Sequence, residues 1–102
     1  MNVASFLQRR FDGAKLQKIN LFQTERFFCD VYCLEPGQAQ KPHAHAGSDK
    51  VYAALEGAVV VQIGAEEREL QPGEAVLCPA GSEHGLTNRG AIRAAVLVFM
   101  TL

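Results

Sequence analysis

The chain lacks any run of like charge. Its 10 lysines and arginines nearly balance 11 aspartates and glutamates, for a net charge of -1. That balance argues against a phosphate backbone or an anionic membrane surface as partner. Arg9-Arg10 is the one basic doublet and reads as solvated surface. Cysteine is sparse: Cys29, Cys33 and Cys78 are too few and too irregular for a secreted disulfide framework. Cys29 and Cys33 share a strand-like segment, where four residues span about 13 Å, beyond the reach of a disulfide. All three read as small buried hydrophobes. No apolar stretch approaches the ~18 residues of a membrane span. The N-terminal MNVASFLQRRF has no signal-peptide core and two early arginines. By default the expectation is a cytoplasmic protein with no nucleic-acid and no membrane partner. Internal repeats, linkers, a glycine-rich phosphate loop and a nucleophilic-serine motif are also missing.

What is present is apolar sequence in short pieces. Apolar residues are 48% of 102, enough for one core, and residues 1–102 are expected to form a single domain. Glu35-Pro36-Gly37, Glu56-Gly57, Gly64-Ala65, Pro72-Gly73, Pro79-Ala80-Gly81 and Asn88-Arg89-Gly90 punctuate the chain. Between them lie strand-like runs: Arg26–Leu34, Lys50–Leu55, Ala58–Ile63, Glu67–Leu70, Ala75–Cys78 and Ile92–Thr101. Such spacing predicts an all-β sandwich or small barrel. The first eleven residues predict the one helix, with Val3, Phe6 and Leu7 on an inward face. Val96–Met100 is apolar without interruption, so Phe99 and Met100 are expected in the core.

The chain has 3 histidines: His43, His45 and His84. On a strand, residues i and i+2 project from one face about 7 Å apart, so His43 and His45 can converge on one ion. Pro42 biases Lys41 to extended geometry just before them. By itself His-x-His is a weak signal, because pairs of surface histidines on strands are common.

A wider pattern surrounds these residues. Gly37, His43, His45 and Gly57 form one part; Gly73, Pro79, Gly81, His84 and Asn88 form a second. In spacing, the two parts resemble the two motifs of the cupin superfamily, over roughly residues 35–100. The resemblance implies a double-stranded β-helix, or jelly-roll barrel, with Lys15–Leu34 supplying the first strands. It further implies His43, His45 and His84 as ligands of a divalent metal ion: Fe, Ni, Zn, Mn or Cu. The glycines Gly37, Gly57, Gly73 and Gly81 then serve turns, as does Asn88. Small cupins commonly dimerise, and the Phe-rich first thirty residues (Phe6, Phe11, Phe22, Phe27, Phe28) are expected to cover an edge or interface of a homodimer.

One position departs from the family. Its glutamate ligand lies seven residues before the closing glycine, and seven before Gly57 is Lys50. Asp49 satisfies the count from His45 but not the count from Gly57, and it becomes a ligand only if a bulge at Gly47-Ser48 shifts the parity. A cavity-facing ammonium about 5 Å from a unit positive charge is opposed by roughly 3 kcal/mol at an effective dielectric of about 20, twice that for a divalent ion. Neutralising it at pH 7 costs about 4–5 kcal/mol from the ordinary lysine pKa. Alternatively Lys50 swings away to Asp49 or Glu83. Tyr52 has the parity of Lys50 and is a candidate for the same pocket, or for the core. Cys78 lacks a base other than His84 and is not expected to act as a nucleophile.

Two readings therefore stand. In the first, three histidines hold a metal and leave open positions for a small organic molecule, as in cupin-type thiol dioxygenases or isomerase-like enzymes. In the second, no metal binds, and Lys50 with the histidines forms a binding or sensing pocket for a small anion or sugar. Fold alone does not select the reaction.

Overall fold

The computed structural model describes all 102 residues. Nine strands follow one another: β1 (Gln17–Gln23), β2 (Phe27–Leu34), β3 (Ala39–His43), β4 (Lys50–Glu56), β5 (Val59–Ile63), β6 (Glu66–Leu70), β7 (Ala75–Cys78), β8 (His84–Thr87) and β9 (Ala94–Thr101). They form two antiparallel sheets, one of five strands in the order β1-β2-β9-β4-β7 and one of four in the order β3-β8-β5-β6. This is the jelly-roll barrel that the turn spacing and the two motifs imply. Each of the six runs read from the sequence is a strand, with ends displaced by two residues at most.

The expected N-terminal helix is absent. Residues 1–16 run as an irregular strap with a single turn at Phe6-Leu7. Val3, Phe6 and Leu7 lie exposed and not inward. Eleven residues are too few to hold a helix without a docking surface. The outer face of the five-stranded sheet takes Phe11 instead, which packs against Ile19, Val31, Cys33 and Ala95.

Even-numbered residues of β2, β9 and β4 face inward, as strand alternation requires. Tyr32, Val96 and Ala54 lie side by side in one row, and Asp30, Val98 and Tyr52 in the next. Most of these join a buried cluster with Val59, Val61, Leu70 and Leu86 of the second sheet. The third inward row is Phe28, Met100, Lys50 and Cys78. That row is where the core ends and the site begins.

Two local features set the geometry of that end. Gly57 has φ +65°, and a Cβ there would collide with the Arg93 carbonyl, so the β4–β5 turn requires glycine. On β3 the register against β8 slips by one residue between Gln40 and His43. Lys41 and Pro42 together oppose Gly85. A Cβ at Gly85 would lie 3.1 Å from the Gln40 carbonyl oxygen and 3.1 Å from Pro42 N. This β-bulge, with a proline inside it and a glycine across from it, re-aims the strand just before the first histidine.

The cysteines are free. Cys33 and Cys78 are fully buried, as expected of small hydrophobes. Burial raises the Cys78 thiol to about 11, opposed in part by Lys50, so it is not a nucleophile at neutral pH.

Candidate metal centre

The three histidines reach one point from three places in the chain. His43, the last residue of β3, stands directly opposite His84, the first residue of β8. His45 lies two residues past the end of β3. The expectation that His43 and His45 share a regular strand is thus half right. His45 is carried by an irregular segment, whose position is fixed by its carbonyl accepting from Gly81 N at 2.8 Å. The ring centroids are 4.4 Å apart for His43–His84, 4.7 Å for His43–His45 and 5.7 Å for His45–His84. One ligand nitrogen from each lies within 4.8 Å of the others.

Backbone carbonyls set the tautomers. His43 Nδ1 donates to the Lys41 carbonyl at 2.8 Å, and His84 Nδ1 to the Ser82 carbonyl at 3.1 Å. A proton on Nδ1 leaves the Nε2 lone pair free to coordinate. His84 is 1% exposed, and its Nε2 is buried without a hydrogen-bond partner. Such an orphaned acceptor is costly unless something binds it. Burial lowers the pKa of His84; the Ser82 carbonyl opposes it, and the charges of His43, Lys50 and His45 lower it further. That of His45 is lowered by burial, His43 and Lys50. Neutral imidazoles are what a metal requires, so the donor set fits a divalent ion.

Lys50 does face the site. It is 2% exposed, and its Nζ donates to Gln40 Oε1 at 3.2 Å and lies 3.5 Å from His43 Nε2. It sits 5.1 Å above the Tyr52 ring and 5.7 Å above the Tyr32 ring. It has not swung away to Asp49 or Glu83. The exposed Asp49 does not join the histidine cluster. Its Oδ1 accepts from Ala80 N at 2.9 Å, and its backbone pairs with Thr101, so the carboxylate braces the second-motif turn. Glu83 is exposed. Burial lowers the Lys50 pKa to about 8, with Lys18 adding to the effect and Cys78 and Asp30 opposing it. Neutralising Lys50 at pH 7 therefore costs on the order of 1 kcal/mol, well under the cost from an ordinary lysine.

Gln40 was not legible from the sequence as a site residue. Its Oε1 accepts from both Lys50 Nζ and the Tyr52 hydroxyl, tying Lys50 to the core. Gln40 and His43 have opposite parity, and only the bulge lets both serve one cavity; Pro42 within a strand was the signal available. Tyr52 is fully buried. It is a core residue whose hydroxyl reaches Gln40 behind the cavity, and burial raises its pKa. The cavity itself, about 330 Å³, is lined by His43, His45, Lys50, Gln40, Tyr32 and, at its apolar wall, Met100. Met100 is buried, as expected of a core residue, and also lines the cavity. Phe99 departs from its expected place in the core and points outward, 38% exposed, against Phe27.

Two facing sheets with histidines converging from β3, the segment after it and β8 define a cupin. Residues 30–100 match the family model of the cupin domain, and the chain belongs to that family. It is 49% identical to TT1209 from Thermus thermophilus, whose crystal structure superposes with a TM-score of 0.96 over 99% of this chain and 97% of that one. It is 38% identical over 64 residues to the tetracenomycin polyketide synthase protein TcmJ of Streptomyces glaucescens, covering 63% of this chain and 43% of TcmJ. An uncharacterized Streptomyces coelicolor protein, SCO3923, is 37% identical over 76 residues, covering 72% of this chain and 66% of its own length. The chain thus spans less than two thirds of both Streptomyces relatives.

Proposed function

We propose that this cupin is a mononuclear metal protein, with His43, His45 and His84 holding one divalent ion, and that it acts on a small organic molecule in dioxygenase or isomerase-like chemistry. The observation that carries this reading is the His84 Nε2, buried and without a partner, beside two further imidazoles. When bound, the ion would supply a Lewis acid or an oxygen-binding centre. The chain's own residues do the rest. Lys41 and Ser82 carbonyls hold His43 and His84 in the coordinating tautomer. Gln40 holds the Lys50 ammonium over the cavity, where it can donate to an anionic oxygen of the ligand. Met100 and Phe28 form the apolar wall of the cavity. The likeness to a polyketide synthase protein supports an organic substrate.

Cobalt(II) tests this reading spectroscopically. Titration should saturate at one ion per chain with visible ligand-field bands, and His84→Ala should abolish them. Absence of visible bands in the unaltered chain, with Co(II) bound no more tightly than by the variant, would refute it.

A metal-free reading has its own support. Lys50 Nζ already lies against His43 Nε2, and an ammonium with three histidines suits a small anion held by a binding or sensing module. We also propose a homodimer. Phe22, Cys29, Phe99, Val51 and Leu77 form one cross-strand row on the outer face of the five-stranded sheet, and Phe99 and Leu77 there are exposed. Light scattering should report twice the 11.1 kDa chain mass; a monomer at high concentration would sink the proposal.

A further inference from the structure

The near-zero net charge conceals a segregation. Four ion pairs form, Arg9–Glu56, Arg68–Glu74, Arg89–Glu67 and Arg93–Glu35, and every one uses arginine. No lysine is paired. Three of the lysines lie along one depression in the surface. The histidine cavity shares Lys18 and Gln40 with a larger groove of about 670 Å³, which runs between the start of β1 and the turn before β3. Arg10, Lys15 and Lys18 line that groove, and no aspartate or glutamate lines either space. The nearby buried acid, Asp30, accepts from Asn20 at 2.7 Å and lines a neighbouring hollow that shares Lys18, Phe28 and Tyr32 with the histidine cavity.

Lys50 is the strongest part of the argument. It is almost wholly buried, its partners are a neutral amide and a histidine, and a second ammonium is close by. Lys18 Nζ is 5.0 Å from the centroid of the Tyr32 ring that Lys50 also approaches. Two cations around one ring, neither in an ion pair and with only the hydrogen-bonded Asp30 nearby to offset them, repel each other, and the buried one has lost its water. An arriving anion would relieve both costs, and the open groove leading past Lys18 gives it a path.

We propose that cavity and groove form one anion-binding cleft, whose ligand is an elongated organic acid with two anionic groups. One group meets Lys50 beside the histidines, and the other meets Arg10 and Lys15. This rests on reading the histidine cavity as the ligand site, and it names the class of molecule that site takes. Specificity then comes from the spacing of the two charges: a neutral molecule of the same length leaves Lys50 without an ion-pair partner, and a single acid occupies one end.

The test is a titration of the full chain, followed by backbone amide NMR, with succinate, adipate and suberate. Hexanoate and hexanediol are the length-matched controls for adipate. At least one diacid should bind saturably, shifting Gln17, Lys18 and Gln38 together with Lys50 at a single dissociation constant. Hexanoate should bind more weakly, hexanediol not at all. Lys15→Gln and Lys18→Gln should each weaken the diacid about five- to tenfold, and Lys15→Gln, in the groove away from the histidines, should leave Co(II) affinity unchanged. The proposal is overturned if no diacid saturates, if hexanediol binds equally, or if neither variant weakens the diacid. Co(II) uptake without diacid binding would remove this inference and leave the metal reading intact. Diacid binding that survives in a chain taking up no Co(II) would do the reverse.

Discussion

Lys50→Glu is expected to tighten divalent-metal binding about 100-fold or more, and Lys50→Gln about tenfold. The Lys50 ammonium lies 3.5 Å from the His43 nitrogen that would coordinate the ion. Removing the positive charge lifts a repulsion that the unaltered chain can escape only by neutralising Lys50, at a cost on the order of 1 kcal/mol at pH 7. That sets the tenfold gain for glutamine. Glutamate adds a carboxylate in the same inward row, within reach of the histidines, and a charged ligand in a partly buried site contributes at least another ~1–2 kcal/mol. Competition with a chelating dye reads both variants against the unaltered chain. Equal affinities for all three would mean that the ion does not sit among the histidines. A gain with glutamine as large as that with glutamate would mean that charge repulsion, and not a missing ligand, is the whole effect of Lys50.

Asn88→Ala is expected to cost about 3–4 kcal/mol of stability, lowering the melting temperature by about 15–25 °C. Asn88 is fully buried. Its Nδ2 donates to the carbonyls of Leu34 at 3.0 Å and Ile92 at 2.9 Å, and its Oδ1 accepts from Gly90 N at 3.0 Å. Its own backbone pairs with Gln38 and Gly37. One side chain thus ties the end of β2 to the loop before β9, while its backbone holds the turn before β3. Alanine leaves three backbone groups without partners and a void where the amide was. Thermal unfolding followed by circular dichroism checks this. A shift under about 5 °C would show that water replaces the lost bonds at little cost. Asn88 lies away from the histidines, so the folded variant should keep its metal affinity.

The barrel was readable from the sequence because turns and strands alternate regularly and the two motifs span most of the chain. Lys50 was readable at the ligand position because the count from Gly57 holds: β4 is a regular strand from Lys50 to Glu56, so parity carried through. Gln40 escaped because the bulge at Lys41-Pro42 inverts parity over three residues, and counting along a strand assumes no bulge. The role of Asp49 escaped because its partner, Ala80, is 31 residues away. Apolar spacing at Val3, Phe6 and Leu7 suggested a helix, but spacing does not say whether a surface exists to receive it. The basic groove was hidden for a different reason. Arg10, Lys15, Lys18 and Lys50 are scattered in sequence, and acids that offset them in the net charge, such as Glu66 and Glu69 on β6, lie on another edge of the fold.

The measurement that bears most directly on the central claim is the metal content of protein purified without an affinity tag or chelator, set beside a His43→Ala, His84→Ala double variant. A near-stoichiometric ion in the unaltered chain, lost in the folded double variant, is the predicted result. Negligible metal in both, persisting after reconstitution with Fe(II), Ni(II) and Zn(II), would contradict it and leave Lys50 and the histidines as a pocket for an anion alone.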